Sequence, residues 1–395
     1  MLGQSDQLDK PYSICFAYAV LCALVGLFVF PQRADADPGV SKTRVLIGYS
    51  SDLTGIAAVS AVKYRKGADV YFDTVNSKGG VHGRKIKVIY YDDGYEPKVA
   101  YENVKRLIEQ DKVFAIFQNY GSESALEVLP LIEKYNIPFI APIGSNEIIR
   151  TSPSQRDIFY VRMSSGKAMN GLVNYAIQKL GIKKFAILAQ DDGYGLDIRE
   201  GALKAMRSLG IKPVLDERFA RKASSLVSIV DDLIQSKAEA VILGIQNNAT
   251  ARLIENAAKK KFHPIYLGPV IYGSKDFYQK VERFAPKIYF ASSFPVIEPR
   301  NMKMPVIQEF LEAIKNTPAE PDTQTFEGYF NAKVFTHALQ LAGKNPTRKL
   351  LIEALQSLRN FDFGGITVDF SETSHEGIKK FYIGTFKDGR TFEIQ

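Results

Sequence analysis

Short apolar runs that stop abruptly in small polar residues recur along this chain, and a helical spacing follows nearly every one. The clearest is Phe114-Ala-Ile-Phe-Gln-Asn-Tyr-Gly-Ser-Glu-Ser124, with a companion at Asn136-Ile-Pro-Phe-Ile-Ala-Pro-Ile-Gly-Ser-Asn146. A buried parallel strand has this form where it ends at a binding edge. In open α/β sheets, ligands sit outside the carboxyl ends of strands, where the next helix offers free backbone N–H groups. Gly121 and Ser122 are placed to open one such helix, and Gly144, Ser145 and Asn146 form the loop after the next strand. Together they predict a cup of hydroxyls and amides suited to a carboxylate, with Tyr120 as a further candidate contact. The plainer reading makes both ordinary strand-to-helix turns with N-cap serines.

The same rhythm predicts strands at Val45–Tyr49, Ile86–Tyr91, Val113–Phe117 and Pro138–Pro142, with helices around Tyr64–Val75, Val99–Gln110 and Ser122–Tyr135. A boundary falls near Tyr160–Ser165, after which the pattern restarts. Strands are then predicted at Phe185–Ala189, near Pro213–Leu215, and at Ala240–Gly244, Pro264–Gly268 and Lys287–Ala291. The tail reads as helices Val306–Lys315, Thr325–Leu341 and Arg348–Ser357, then strands Ile366–Phe370 and Lys380–Phe386 with a hairpin-like end. The fold class is therefore α/β, two doubly wound Rossmann-like units, each too short for a barrel. Right-handed crossovers put every polar loop of a unit on one edge of its sheet.

Ile14 to Phe30 is almost wholly apolar, and Ala34-Asp35-Ala36 gives a small-residue cleavage pattern, so residues 1–36 read as a secretory signal peptide. An uncleaved anchor is the competing reading, because the run is barely long enough to span a bilayer. Both cysteines, Cys15 and Cys22, lie inside this segment, so a chain starting at Asp37 has no thiol for a disulfide, zinc cluster or nucleophile. The formal charge of +8 is spread along the sequence without an arginine-rich arm. It reads as solvated surface, and no nucleic-acid partner is expected.

Signs of catalysis are scarce. His82, His263, His337 and His375 are isolated, with no metal-ligand spacing among them. There is neither a G-x-S-x-G elbow nor a phosphate-cradling G-x-x-x-x-G-K, and Gly193-Tyr-Gly195 lacks the third glycine of a dinucleotide fingerprint. The carboxylate pairs Asp92/Asp93, Asp191/Asp192 and Asp231/Asp232 sit where acids cap helices. No enzyme, metal or cofactor is expected.

Several motifs carry a family resemblance. They are Ile47-Gly48 through Leu53-Thr-Gly55, Asn76-Ser-Lys-Gly-Gly-Val-His-Gly-Arg-Lys85, Asp92-Asp-Gly-Tyr-Glu-Pro97 and Ile137-Pro-Phe-Ile-Ala-Pro142. With the export signal they resemble the branched-chain amino-acid (leucine-binding-protein-like) periplasmic binding proteins of ABC importers, whose fold is the type I periplasmic binding fold. The resemblance spans essentially the whole chain after the signal. It implies two lobes joined by a three-segment hinge, with crossings near Met163, Phe294 and Gly364. Residues 43–163 would form the first lobe with 295–363 returning to it, and 164–294 the second with 364–395 returning. It implies a periplasmic location, a monomer, and the membrane permease of an importer as partner.

By the same resemblance Ser122, Gly144 and Ser145 hold a ligand carboxylate, and Tyr194 closes over it from the second lobe. The other half of the pattern departs. Gln246 stands where amino-acid binders carry a second aromatic, Val270 stands where an acid pairs the ligand ammonium, and the first-loop aromatic falls at Ser60. A buried ammonium without a counter-charge costs several kcal/mol. Unless Asp52, Glu123, Asp191 or Asp192 supplies that charge, a carboxylate other than a plain α-amino acid is expected. A conventional branched-chain amino-acid binder and the input module of a sensory receptor are the alternatives.

Overall fold

The computed structural model describes residues 37–395 apart from 145–146, 152–155, 222–225, 227, 285, 388–389 and 395. The proposed signal segment and Ser145 lie outside the described residues. The first sheet contains β1 (Arg44–Ser51), β2 (Lys85–Asp92), β3 (Ala115–Phe117), β4 (Phe139–Ile140) and β5 (Ile158–Phe159). All five are parallel, in the order β2-β1-β3-β4-β5. The second sheet is built on parallel β6 (Phe185–Gln190), β7 (Leu215–Phe219), β8 (Ala240–Gly244), β9 (Ile265–Pro269) and β10 (Lys287–Ser292). A small pair, β11 (Phe361–Asp362) and β12 (Thr367–Val368), precedes β13 (Tyr382–Lys387) and β14 (Arg390–Glu393), which extend the second sheet antiparallel.

Setting the late strands aside, both sheets have the same winding, with the order reversing between β1 and β3 in one and between β6 and β8 in the other. Such reversals leave a crevice outside the carboxyl ends of the strands. Each sheet is covered on both faces, which explains why its strands read as continuous apolar runs.

One helix crossing governs what stands behind the first crevice. Helix Ala58–Ser77 packs on helix Thr323–Leu341 with glycines at the contact. A Cβ on Gly67 would lie 1.9 Å from the Thr325 carbonyl oxygen, and one on Gly328 would lie 1.9 Å from that of Tyr64. The two backbones touch, and the helices carry Tyr64 and Glu327 toward the same place.

Three features differ from expectation. Strand β7 lies at Leu215–Phe219, beyond the stretch near Pro213, because it is a half-exposed edge strand whose Asp216, Glu217 and Arg218 break any apolar pattern. Strand β5 was hidden by its brevity. The third crossing also falls later than Gly364. Val368, Phe370 and Ile378 are buried in the core of the first sheet, and Gly377 and Ile378 donate to the carbonyls of Tyr160 and Val161 at 2.8 Å. Segment 364–378 thus packs with the first lobe, and passage to the second sheet comes between Ile378 and Tyr382. His375 belongs to this packing: its ring stacks on Phe159 at 3.9 Å, with Nδ1 3.0 Å from the Ile158 carbonyl. The segments around Met163 and Phe294 touch, Ser293 Oγ accepting from the Met163 N–H at 3.2 Å.

Candidate functional site

The loops after β3 and β4 are zipped together by their backbones. Gly121 N–H donates to Ile143 O at 3.0 Å, and Ile143 N–H donates to Asn119 O at 2.8 Å. Gly121 has φ +108°, a conformation glycine adopts without strain, and this turns the chain directly into helix Ser122–Tyr135. Ser122 and Gly144 come to lie side by side, so close that a Cβ on Gly144 would be 2.9 Å from the Ser122 Cα.

The facing wall comes from the carboxyl ends of β6, β8 and β9. Asp192 Oδ1 accepts from the N–H groups of Tyr194 and Gly195 at 3.1 and 3.0 Å, capping helix Gly193–Arg207 and fixing Tyr194 in its first turn. Gln246 is the N-cap of helix Asn247–Lys259, and Val270 begins the short turn after β9. One cavity is lined by Tyr120, Gly121, Ser122, Ile143 and Gly144 from one lobe and by Tyr194, Gln246, Pro269, Val270 and Ile271 from the other. Six of the seven residues singled out in the sequence therefore surround one space.

Four further lining residues, Tyr64, Tyr95, Arg162 and Ser165, were not singled out. Ser60 does not line the cavity, but Tyr64, one helical turn later on the same face, does. Tyr95 follows β2 with φ +67°, held by its N–H donating to Asp93 Oδ1 at 3.0 Å. Its hydroxyl accepts from Gln246 Nε2 at 3.1 Å, and the Arg221 guanidinium lies 3.9 Å from its ring centre. The Tyr194 hydroxyl is buried without a hydrogen-bond partner.

Arg162, immediately after β5, is the one charged side chain among the described lining residues. Burial acts to lower its pKa, but the Glu327 carboxylate and the Tyr64 phenol outweigh burial and hold it charged. Its Nη1 is 3.4 Å from Glu327 Oε1, an ion pair without hydrogen-bond geometry, and its Nε is buried without a partner. A buried positive charge with unsatisfied donors favours an anion in the cavity.

The four acids that could have met an ammonium are engaged elsewhere. Asp52 accepts from Gly55 and Ala57 N–H at 2.5 and 2.7 Å, and Asp191 pairs with Arg218 at 3.0 Å on the surface. Asp192 is the cap already described and also accepts from Gln190 Nε2 at 2.9 Å, while Glu123 accepts from the Gly193 N–H of the opposite lobe.

The two walls are drawn together. Besides the Glu123–Gly193 and Gln246–Tyr95 bonds, Lys63 of the first lobe reaches Asp276 of the second at 2.7 Å. The space left is about 30 Å³, enough for only one or two waters. Entry of an organic ligand therefore requires the walls to part, as in a hinged trap. Asp276 is partly exposed, so Asp276→Asn should weaken closure modestly, lowering ligand affinity about threefold without changing the melting temperature. Calorimetry and thermal melts on the same preparation check this.

Among the described residues no group of His, Cys, Asp or Glu could hold a metal ion, and no helix is long and apolar enough to cross a membrane. A family model for periplasmic binding proteins matches residues 44–391. An amino acid binding protein of Pseudomonas aeruginosa is 30% identical over 202 residues, covering 51% of this chain and 53% of that protein, so the match spans about half the relative's length. A possible leucine/isoleucine/valine-binding protein from Rhodopirellula baltica superposes with a TM-score of 0.83 at 24% identity, covering 90% of this chain and 97% of that one. A fatty acid ABC transporter substrate-binding protein from Thermomonospora curvata superposes with a TM-score of 0.83 at 23% identity, covering 92% and 95%. This chain is a binding protein, not an enzyme, and it belongs to the family of periplasmic binding proteins.

Proposed function

We propose that the protein is the extracytoplasmic binding component of an ABC importer and traps a small carboxylate that is not a plain α-amino acid. The observation that supports this most is Arg162: the described lining of the cleft presents one positive charge and no acid. Ser122, Gly144, Ser145 and the first N–H groups of helix Ser122–Tyr135 would hold the carboxylate beside it. The rings of Tyr95, Tyr120 and Tyr194 and the Val270 side chain would cover an apolar or aromatic body. A second space of about 230 Å³ shares Gln246 with the cavity and is of mixed character, lined by Ile56, Phe219, Leu226 and Ile245 but also by Arg221 and Arg252. Secretion through residues 1–36 to the periplasm, a monomeric state and delivery to a permease complete the proposal.

A branched-chain amino-acid ligand is the second reading, favoured by the tyrosine rings of the cleft, whose faces could receive an ammonium. Mass spectrometry of ligand released from natively purified protein decides between them, and tight leucine binding without binding of simple acids would overturn the first. Ser122→Ala should remove one charge-assisted hydrogen bond and weaken carboxylate binding about ten- to hundredfold. An unchanged dissociation constant would place the site elsewhere.

A further inference from the structure

Glu327 stands directly behind Arg162, which is the one charged group against it among the described residues. Its side chain is buried, and neither carboxylate oxygen has a hydrogen-bond partner. The neighbouring titratable groups are Arg162 after β5, Tyr64 from helix Ala58–Ser77 and Tyr120 after β3. Both phenols are pushed up by burial and stay neutral across the physiological range. Lys63, on the same helix as Tyr64, is drawn instead to Asp322 at 2.5 Å and to Asp276. The protonation state of Glu327 therefore sets the net charge of the Arg162–Glu327 pair. With Glu327 ionised the pair is neutral and an anion gains little; with Glu327 protonated the cavity presents a full positive charge.

On the reading that the cleft takes a carboxylate, we infer that Glu327 is a specificity-determining residue: the site binds a monoanion together with one proton, which Glu327 takes up from water as the ligand carboxylate settles beside Arg162. Burial has already pushed Glu327 up to about 7 against the pull of Arg162, so little further shift is needed. A second anion near Arg162 raises it again. The sign follows. Below pH 7 Glu327 is already protonated and affinity is flat. Above pH 7 the proton must be acquired on binding, and affinity falls up to tenfold per pH unit until the ligand-bound pKa is passed.

The test is calorimetry of the full protein with benzoate, 3-methylbutanoate and octanoate at pH 6 and pH 8, in buffers of different ionisation enthalpy. At pH 8 the expected result is uptake approaching one proton per carboxylate bound, with affinity five- to tenfold weaker than at pH 6. Glu327→Gln should abolish the uptake and flatten the pH dependence while retaining binding, a signature that a purely structural glutamate would not give. Carboxylate binding with no proton uptake in the unaltered protein overturns the inference and leaves the carboxylate reading standing. Failure of all three acids to bind overturns both. If Glu327→Gln folds poorly, the uptake measured on the unaltered protein still decides.

Discussion

Replacing Arg162 by methionine should abolish carboxylate binding, lowering affinity by about a thousandfold, or about 4 kcal/mol. The substitution keeps most of the side-chain volume and removes the single positive charge of the cleft lining. It should also destabilise the fold in a pH-dependent way. Glu327 loses the one partner that pulls its pKa down, so burial holds it higher still. A carboxyl raised above its unfolded value contributes its stability at low pH and loses it as pH climbs toward the folded value. Up to about pH 7 the folded parent also keeps Glu327 protonated, so the variant should track the parent below pH 7 and fall progressively behind above it, by up to about 1.4 kcal/mol per pH unit. A double change, Arg162→Met with Glu327→Met, should recover stability, since a buried pair is often replaceable by apolar side chains, and should not recover binding. Melts from pH 5 to 8 with calorimetry on all three proteins check this. A single variant that binds carboxylates normally would remove Arg162 from the site.

Arg162 also marks where the sequence ceased to be legible. Ser122 and Gly144 could be picked out because apolar runs ending in Gly-Ser are local patterns, and strand ends in a doubly wound sheet gather on one edge. Gln246 and Val270 were reached only through the family resemblance, as positions where its pattern departs, and both lie just after strands β8 and β9. Arg162 follows a strand of two residues that no periodicity could reveal, and its importance depends on Glu327, which is distant in sequence and reached only through tertiary packing. Tyr95 lay in a motif that was noticed, but its entry into the cleft depends on a left-handed backbone set by Asp93. The signal available was an aromatic beside a glycine in a loop leaving a strand. The crossing near Gly364 came from the resemblance and not from the residues, and local pattern gives no sign that Val368, Phe370 and Ile378 are committed to the first core.

The largest effect away from the ligand should come from adding a single carbon at the glycine crossing. Gly67→Ala places a methyl group 1.9 Å from the Thr325 carbonyl oxygen, and Gly328→Ala does the same to that of Tyr64. The obstacle is backbone, which cannot swing aside as a flexible side chain could, so the helices must separate along their contact. Alanine is favoured over glycine within a helix by about 1 kcal/mol, and overpacking of this kind costs about 3, so each variant should lose about 2 kcal/mol net. The pair should cost less than the sum of the singles, because one separation accommodates both methyl groups. Urea midpoints for the two singles and the double measure this, and unchanged midpoints would show that the crossing yields freely. Ligand affinity should fall in the same variants although neither residue touches the cavity. The crossing sets how far Tyr64 reaches into the cleft and how closely Glu327 backs Arg162. A helix shift of a few tenths of an ångström lengthens the 3.4 Å ion pair in a site where charge is poorly screened. Stability and binding should thus move together at Gly67 and Gly328, and they should separate at Ser122, where the loss falls on the ligand alone.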